Sequence, residues 1–249
     1  MRLESMPAPT MEELAKASGV AKNAAKDWRH YGQACRTRAK IITGLLTSYF
    51  SGDLKQKRVL DWGCATGGVA IILDDELPVK MSAADVDEHS IRWLTKCCPS
   101  IEATALVPAE ALPFDNDRFD AIFGISVFTH IPPDMQEFYL KELKRIIAPG
   151  GVVILTVKSE SAVENARATN KNPDVHPHQK EQLDKAGIMY SSYPENVLNN
   201  MDFAKKADYG ITYHSRAYID QLFGQYFDFV AKGEQKIGQQ DVLVLKPKT

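Results

Sequence analysis

Val59-Leu-Asp-Trp-Gly-Cys-Ala-Thr-Gly-Gly68 is the stretch that decides the fold. Arg58, Val59 and Leu60 read as the end of a buried parallel strand, and Asp61 falls where that strand reaches the edge of its sheet. Gly63, Ala65, Gly67 and Gly68 follow with almost no side-chain bulk. Such a turn lets the backbone bend sharply and lets its N–H groups approach a ligand closely. The apolar run Val69–Leu73 then continues as a helix packed back on the sheet. Strand, small-residue turn and helix make the first half of a nucleotide-binding unit.

Downstream, Val79–Ala84 predicts a second strand that ends in Asp85-Val86-Asp87, with Asp87 placed to cap a helix over Glu88–Lys96. Ile101–Val107 and Phe119–Ile125 predict two more strands. Pro132-Pro133 opens an amphipathic helix over Met135–Ile147, Ala148-Pro-Gly-Gly151 stops it, and Val152–Val157 is a fifth strand. This alternation implies a largely parallel sheet in a core of residues 57–158. Upstream, Met11–Ser18, Ala21–Tyr31 and Ala34–Phe50 predict helices, so residues 1–56 form a helical N-terminal extension. Residues 159–212 form an insertion that is polar over 159–209, with only a weak helical pattern near His178–Ala186. A stretch of this kind inside a compact domain is usually functional or mobile. Residues 213–249 complete the sheet with a helix over Ser215–Gln225 and strands over Tyr226–Lys232 and Asp241–Lys246. Only about eight residues join those strands, too few for a helical crossover, so the sheet ends in an antiparallel strand.

With 249 residues, 44% of them hydrophobic and 25% charged, the chain has the composition of a soluble globular domain. Its formal charge of −2 argues against a nucleic-acid partner held by electrostatics. No apolar run approaches the roughly 18 residues that span a bilayer, and the N-terminus lacks a signal-peptide core. Cys35, Cys64, Cys97 and Cys98 lack zinc-ligand spacing and read as reduced thiols of a cytoplasmic protein. His176 and His178 have no third ligand of suitable spacing nearby, so no metal is expected. Oligomeric state is not legible.

The segments Val59–Gly67, Ala84-Asp-Val-Asp87, Ala109-Glu-Ala-Leu-Pro-Phe114, Phe119-Asp-Ala-Ile-Phe-Gly-Ile125 and Leu143-Lys-Arg-Ile-Ile-Ala-Pro-Gly-Gly151 stand in one order and spacing. From about Arg58 to Val157 the chain thereby resembles class I S-adenosylmethionine-dependent methyltransferases. Ser126-Val-Phe-Thr-His-Ile131 and Gln240-Asp-Val-Leu-Val-Leu245 are further similar to a group often associated with glycan or polysaccharide biosynthesis. The resemblance implies a doubly wound, Rossmann-like α/β fold with a seven-stranded, mostly parallel sheet and an antiparallel last strand. It implies S-adenosylmethionine as cofactor, S-adenosylhomocysteine as product, and a hydroxyl of a sugar, glycan or other small molecule as acceptor. The helical extension and residues 159–212 would form the acceptor pocket.

Residue by residue, the resemblance implies that Asp61, Gly63, Ala65 and Gly67 line the cofactor's methionine end and ribose. Asp85 would hold the two ribose hydroxyls, one carboxylate offering two acceptor oxygens to two vicinal O–H donors. Val86 would lie against the adenine, Ala109 and Glu110 would frame its polar edge, and Ile125 would pass beneath the sulfonium. Ala65 replaces the second glycine of the usual motif, and Pro108 replaces a frequent acid. His130, just past the fourth strand, is the candidate general base, an imidazole near its working pKa that takes a proton from a substrate hydroxyl. The alternative is a histidine that only ties the loop down. Tyr213 and His214 are candidate acceptor-binding residues, against the alternative of a surface turn. Trp28 and Tyr31 read as core, Asp120 as structural. Two rival functions stand beside this one. Gly63-x-Ala65-x-x-Gly68 nearly satisfies the dinucleotide fingerprint of an NAD(P)-dependent oxidoreductase, and a non-catalytic cofactor-binding module would keep the fold without turnover.

Overall fold

The computed structural model describes residues 2–163, 177–203 and 209–249. Helices α1 (Arg2–Ser5), α2 (Gly19–Lys26) and α3 (Trp28–Tyr49) precede the sheet. The helix expected over Ala21–Tyr31 breaks at Asp27. Its backbone leaves the helical region at φ −145°, and its carboxylate accepts the His30 N–H, so Asp27 closes α2 and caps α3. Met11–Ser18, expected as a helix, is a run of turns in which the Thr10 hydroxyl and the Glu13 carboxylate each accept the other's backbone N–H. Ser18 belongs to α2 as its cap.

The core follows as β1 (Arg58–Trp62), α4 (Gly68–Glu76), β2 (Lys80–Asp85), α5 (Glu88–Cys97), β3 (Glu102–Ala105), β4 (Phe119–Gly124), α6 (Pro133–Ile146) and β5 (Ile147–Val157). Then come α7 (Pro177–Ala186), β6 (Ile188–Ser192), α8 (Glu195–Leu198), β7 (Gly210–His214), α9 (Arg216–Tyr226), β8 (Phe227–Ile237) and β9 (Gln240–Pro247). One sheet has seven strands in the order β3-β2-β1-β4-β5-β9-β8. Its first five strands are parallel, and β9 runs antiparallel to both β5 and β8. The expected α/β fold with a reversed last strand is therefore present.

Successive residues of β1 face opposite layers. Val59 packs with Ile42, Ile71 and Leu94 under α3, α4 and α5, whereas Leu60 packs with Leu140, Leu143 and Phe223 under α6 and α9. At about 1.5–3 kcal/mol for each such side chain removed from water, these two layers fix the strand ends that carry the site. Two details depart from expectation. The final hairpin closes through Gly238 and Gln239 alone, with Gly238 at φ +62°, not through a longer loop. Ala148-Pro-Gly-Gly151 does end α6, but it also forms a bulge in β5 between the pairs Phe119↔Ile147 and Ala121↔Val152. Gly151 is required there, because a Cβ would stand 2.7 Å from the Asp120 carbonyl.

Between β5 and α9 the polar segment holds a small antiparallel sheet of β6 and β7, which the sequence pattern did not suggest. His176 lies outside the described residues. No helix among the described residues is long and apolar enough to cross a membrane.

Candidate active site

At the carboxyl ends of β1, β2 and β4 the structure opens a cleft of about 350 Å³, the position at which open α/β sheets bind ligands. The turn after β1 forms its floor. Gly63 and Cys64 both donate their N–H to the Ala84 carbonyl, at 2.7 and 3.1 Å, which ties the turn to β2. Gly63 and Gly67 adopt φ of +78° and +72°, and Ala65 takes the same left-handed region at +49°. A Cβ on Gly63 would meet Val127 Cγ2 at 2.3 Å, so only glycine lets this turn lie against the loop after β4. Gly67 is small for a different reason. A Cβ there would meet Leu94 at 2.7 Å, a packing contact with α5.

Asp85 closes the next side. Its Oδ2 accepts the Ala65 N–H at 2.7 Å and its Oδ1 accepts the Asp87 N–H at 2.8 Å. Each oxygen keeps a further lone pair, and the side chain lines the cleft. Burial raises its pKa to about 6, helped by the charge of Asp87 and opposed by the backbone N–H donors. Two O–H donors from a bound ligand would satisfy the remaining lone pairs, so this pair of acceptors fits a vicinal diol such as that of a ribose. Asp87 caps α5 and also receives the Ser18 N–H, which anchors the N-terminal extension to the strand end.

The cleft brings together Gly63, Asp85, Val86, Ala109 and His130. Asp61, Ala65, Gly67, Glu110 and Ile125 are not on its lining. Asp61 is buried beneath the turn, where burial and the Asp85 charge push its carboxyl well above the usual range. Pro108 stands on the wall, and the Ala109 N–H donates to the Tyr139 hydroxyl at 3.0 Å. Tyr139, Trp62, Ser126, Phe203 and Tyr209 line the cleft without having been singled out in the sequence. No side chain of residues 1–56 lines it among the described residues, and the polar segment contributes Phe203 and Tyr209.

His130 Nδ1 lies 2.7 Å from the Gly210 carbonyl. A carbonyl only accepts, so Nδ1 carries the proton and Nε2 keeps its lone pair. The ring stacks on Tyr209 at 4.8 Å between centroids. Burial pushes its pKa down to about 4, against the Gly210 hydrogen bond and with the charge of Lys158 adding to the fall. The imidazole is therefore neutral at pH 7 and a weaker base than the near-neutral one expected.

Tyr213 and His214 are placed otherwise than the sequence suggested. They are neither a surface turn nor part of the cleft lining. Tyr213 is 2% exposed and packs with Val163, Leu183 and Met189. His214 is fully buried, with Nε2 on the Gln136 amide, and burial pushes its pKa to about 3. In β7 their side chains point to opposite faces, Tyr213 onto Leu183 of α7 and His214 onto Gln136 of α6. Asp120 is structural as expected, paired with Arg58 at 2.9 Å. Trp28 and Tyr31 also belong to the interior, Trp28 against Trp93 and Tyr31 bonded to Thr66 at 2.9 Å.

Residues 59–151 match the family model of a methyltransferase domain. Among curated proteins, 2-methyl-6-phytyl-1,4-hydroquinone methyltransferase of Synechocystis sp. (strain ATCC 27184 / PCC 6803 / Kazusa) is 28% identical over 39% of this chain and 30% of its own length. Phthiotriol/phenolphthiotriol dimycocerosates methyltransferase of Mycobacterium leprae (strain TN) is 34% identical over 40% of this chain and 37% of its own. The chain thus spans only about a third of these relatives. Among solved structures, the PH0226 protein of Pyrococcus horikoshii OT3 superposes with a TM-score of 0.60 at 20% identity, over 86% of this chain and 91% of that one. Magnesium protoporphyrin IX methyltransferase of Synechocystis PCC 6803, solved with bound SAH, gives 0.59 at 15% identity over 90% and 87%. These two likenesses show the fold.

Proposed function

We propose that the protein, whose residues 59–151 match a methyltransferase-domain model and whose sheet has the class I methyltransferase order, transfers a methyl group from S-adenosylmethionine to a hydroxyl of a small molecule, sugars and glycans foremost. The observation that carries the reading is one cleft that presents Asp85 and a histidine of fixed tautomer together. When bound, S-adenosylmethionine supplies a methyl group already activated by its positive sulfur. Asp85 holds the vicinal ribose hydroxyls on its two free lone pairs. Val86, Leu112 and Ala109 line the cleft and would give the adenine an apolar slot, and Gly63 would leave the backbone open to the ligand.

His130 Nε2 accepts the proton of the acceptor hydroxyl. That proton would become strongly acidic only as the acceptor oxygen takes up the methyl group, so a base with a pKa of about 4 would suffice. Positioning supplies the rest of the rate. The topology also favours this reading over a nicotinamide oxidoreductase. Dinucleotide folds continue in parallel as 3-2-1-4-5-6, whereas here the reversed β9 separates β5 from β8.

The test is transfer of label from [methyl-³H]S-adenosylmethionine to a protein-free small-molecule extract of cells that make the protein natively. Label should appear in an alkali-stable ether, and His130→Ala should lower turnover about 100-fold with S-adenosylhomocysteine affinity retained. Label in an amine or a carbon skeleton would remove O-methylation. Near-normal turnover of His130→Ala across pH would remove the base, and no transfer at all would leave the non-catalytic module.

A further inference from the structure

Ser126 lies two residues beyond β4 and lines the cleft with His130. Its φ of +64° is costly for a residue with a Cβ and persists only where surroundings over-determine it. Those surroundings are a closed polar circuit. The Ser126 N–H donates to Thr156 Oγ1 at 2.7 Å, and its carbonyl accepts the Thr129 hydroxyl at 2.9 Å. Thr156 Oγ1 lies 2.5 Å from Gln240 Oε1, and Gln240 Nε2 lies 2.6 Å from Ser126 Oγ. The two segments Ser126–Ile131 and Gln240–Leu245 therefore meet at the Gln240–Ser126 hydrogen bond.

This circuit has a direction. Thr156 is 1% exposed, and its hydroxyl hydrogen needs an acceptor. With the Gln240 amide turned the other way, that hydrogen would face an NH₂ group and be stranded. Gln240 therefore presents its oxygen to Thr156 and its NH₂ to Ser126. Ser126 Oγ accepts, which leaves its own hydrogen for a different acceptor.

We propose that the Ser126 hydroxyl donates to the nucleophilic oxygen of the methyl acceptor, aimed there by Thr156 and Gln240. The inference rests on the function proposed above. An alcohol oxygen has one hydrogen and two lone pairs. The hydrogen goes to His130 Nε2, one lone pair receives the Ser126 hydrogen, and the other attacks the methyl carbon. A neutral amine has a single lone pair, so the Ser126 donor would compete with the methyl group for it. The site accordingly selects oxygen over nitrogen nucleophiles. Ser126 is the binding residue, and Thr156 and Gln240 are positioning residues.

The experiment compares wild type, Ser126→Ala, Gln240→Ala and Gln240→Glu in the tritium assay with the small-molecule extract. S-adenosylhomocysteine affinity and thermal stability are measured on the same preparations. Ser126→Ala should lower kcat/KM about tenfold, the loss of one neutral hydrogen bond, with S-adenosylhomocysteine affinity unchanged. Gln240→Glu is the diagnostic variant. Its carboxylate still accepts from Thr156 but also draws the Ser126 hydrogen away from the cleft. It should match Ser126→Ala and fall below Gln240→Ala, in which the hydroxyl turns freely. A merely structural Gln240 would give the reverse order, because glutamate keeps the shape that alanine loses. That reverse order, or full turnover in Ser126→Ala, overturns the inference while wild-type transfer keeps the proposed function. A Ser126→Ala protein that loses S-adenosylhomocysteine affinity assigns the hydroxyl to the cofactor and also overturns it. A wild type that binds S-adenosylhomocysteine yet transfers no label removes both.

Discussion

Asp85 gives the site a titration that binding experiments can read. Its free-protein pKa of about 6 arises from burial and the Asp87 charge, and ligand O–H donors favour the ionised form. The carboxylate is about nine-tenths ionised at pH 7 and about one-tenth at pH 5. S-adenosylhomocysteine affinity should therefore fall about tenfold between those values, provided the bound-state pKa is well below 5. His130, with a pKa of about 4, stays neutral through that window and adds no competing change there. Asp85→Asn keeps one acceptor oxygen and loses the charge. At about 1.5–3 kcal/mol for a hydrogen bond to a charged group, the variant should bind about 100-fold more weakly at pH 7. Its affinity should be flat from pH 5 to 7. Calorimetric titrations at half-unit pH steps on both proteins give the comparison. A wild-type curve without the fall, or a variant with the same fall, would refute the assignment of Asp85 to the ligand.

Two further outcomes rest on the same geometry. Half-buried His130 and fully buried His214 are neutral, with pKa values pushed to about 4 and about 3, below the ordinary imidazole value. Their stabilising effect is present above the unfolded-state pKa near 6.5 and is lost as pH falls toward the folded values. Together they should cost about 2–3 kcal/mol per pH unit below 6 in urea melts, and His214→Phe should roughly halve that slope. Gly63→Ala should destabilise the fold by about 1–3 kcal/mol through its φ and its contact with Val127. Pairing it with Val127→Ala should recover the contact part of the loss but not the backbone part, and no recovery in chemical melts would place the strain elsewhere.

Much of the architecture was legible because its signals are local. The small-residue turn, the Asp85 strand end, the Pro-Pro helix start and the Pro-Gly-Gly stop each act within a few residues of themselves, and each is where the pattern put it. The β6–β7 sheet was not legible. Ile-Met-Tyr-Ser-Ser and Gly-Ile-Thr-Tyr-His show no clean alternation, and their pairing spans a long separation in sequence. Tyr213 and His214 were misplaced for the same reason, since what buries His214 is Gln136 on a distant helix. Ser126 carries no chemical code of its own. Its direction comes from Thr156 and Gln240 on two other strands, which only the fold brings together. The low pKa of His130 likewise depends on burial beneath Tyr209, beyond the reach of spacing rules.

The most direct test of the central claim is calorimetric titration of the wild-type protein with S-adenosylhomocysteine, beside NAD and NADP, repeated on Asp85→Ala. S-adenosylhomocysteine alone is expected to bind, and Asp85→Ala to weaken it. Binding of a nicotinamide dinucleotide instead, or of no cofactor at all, would contradict that claim.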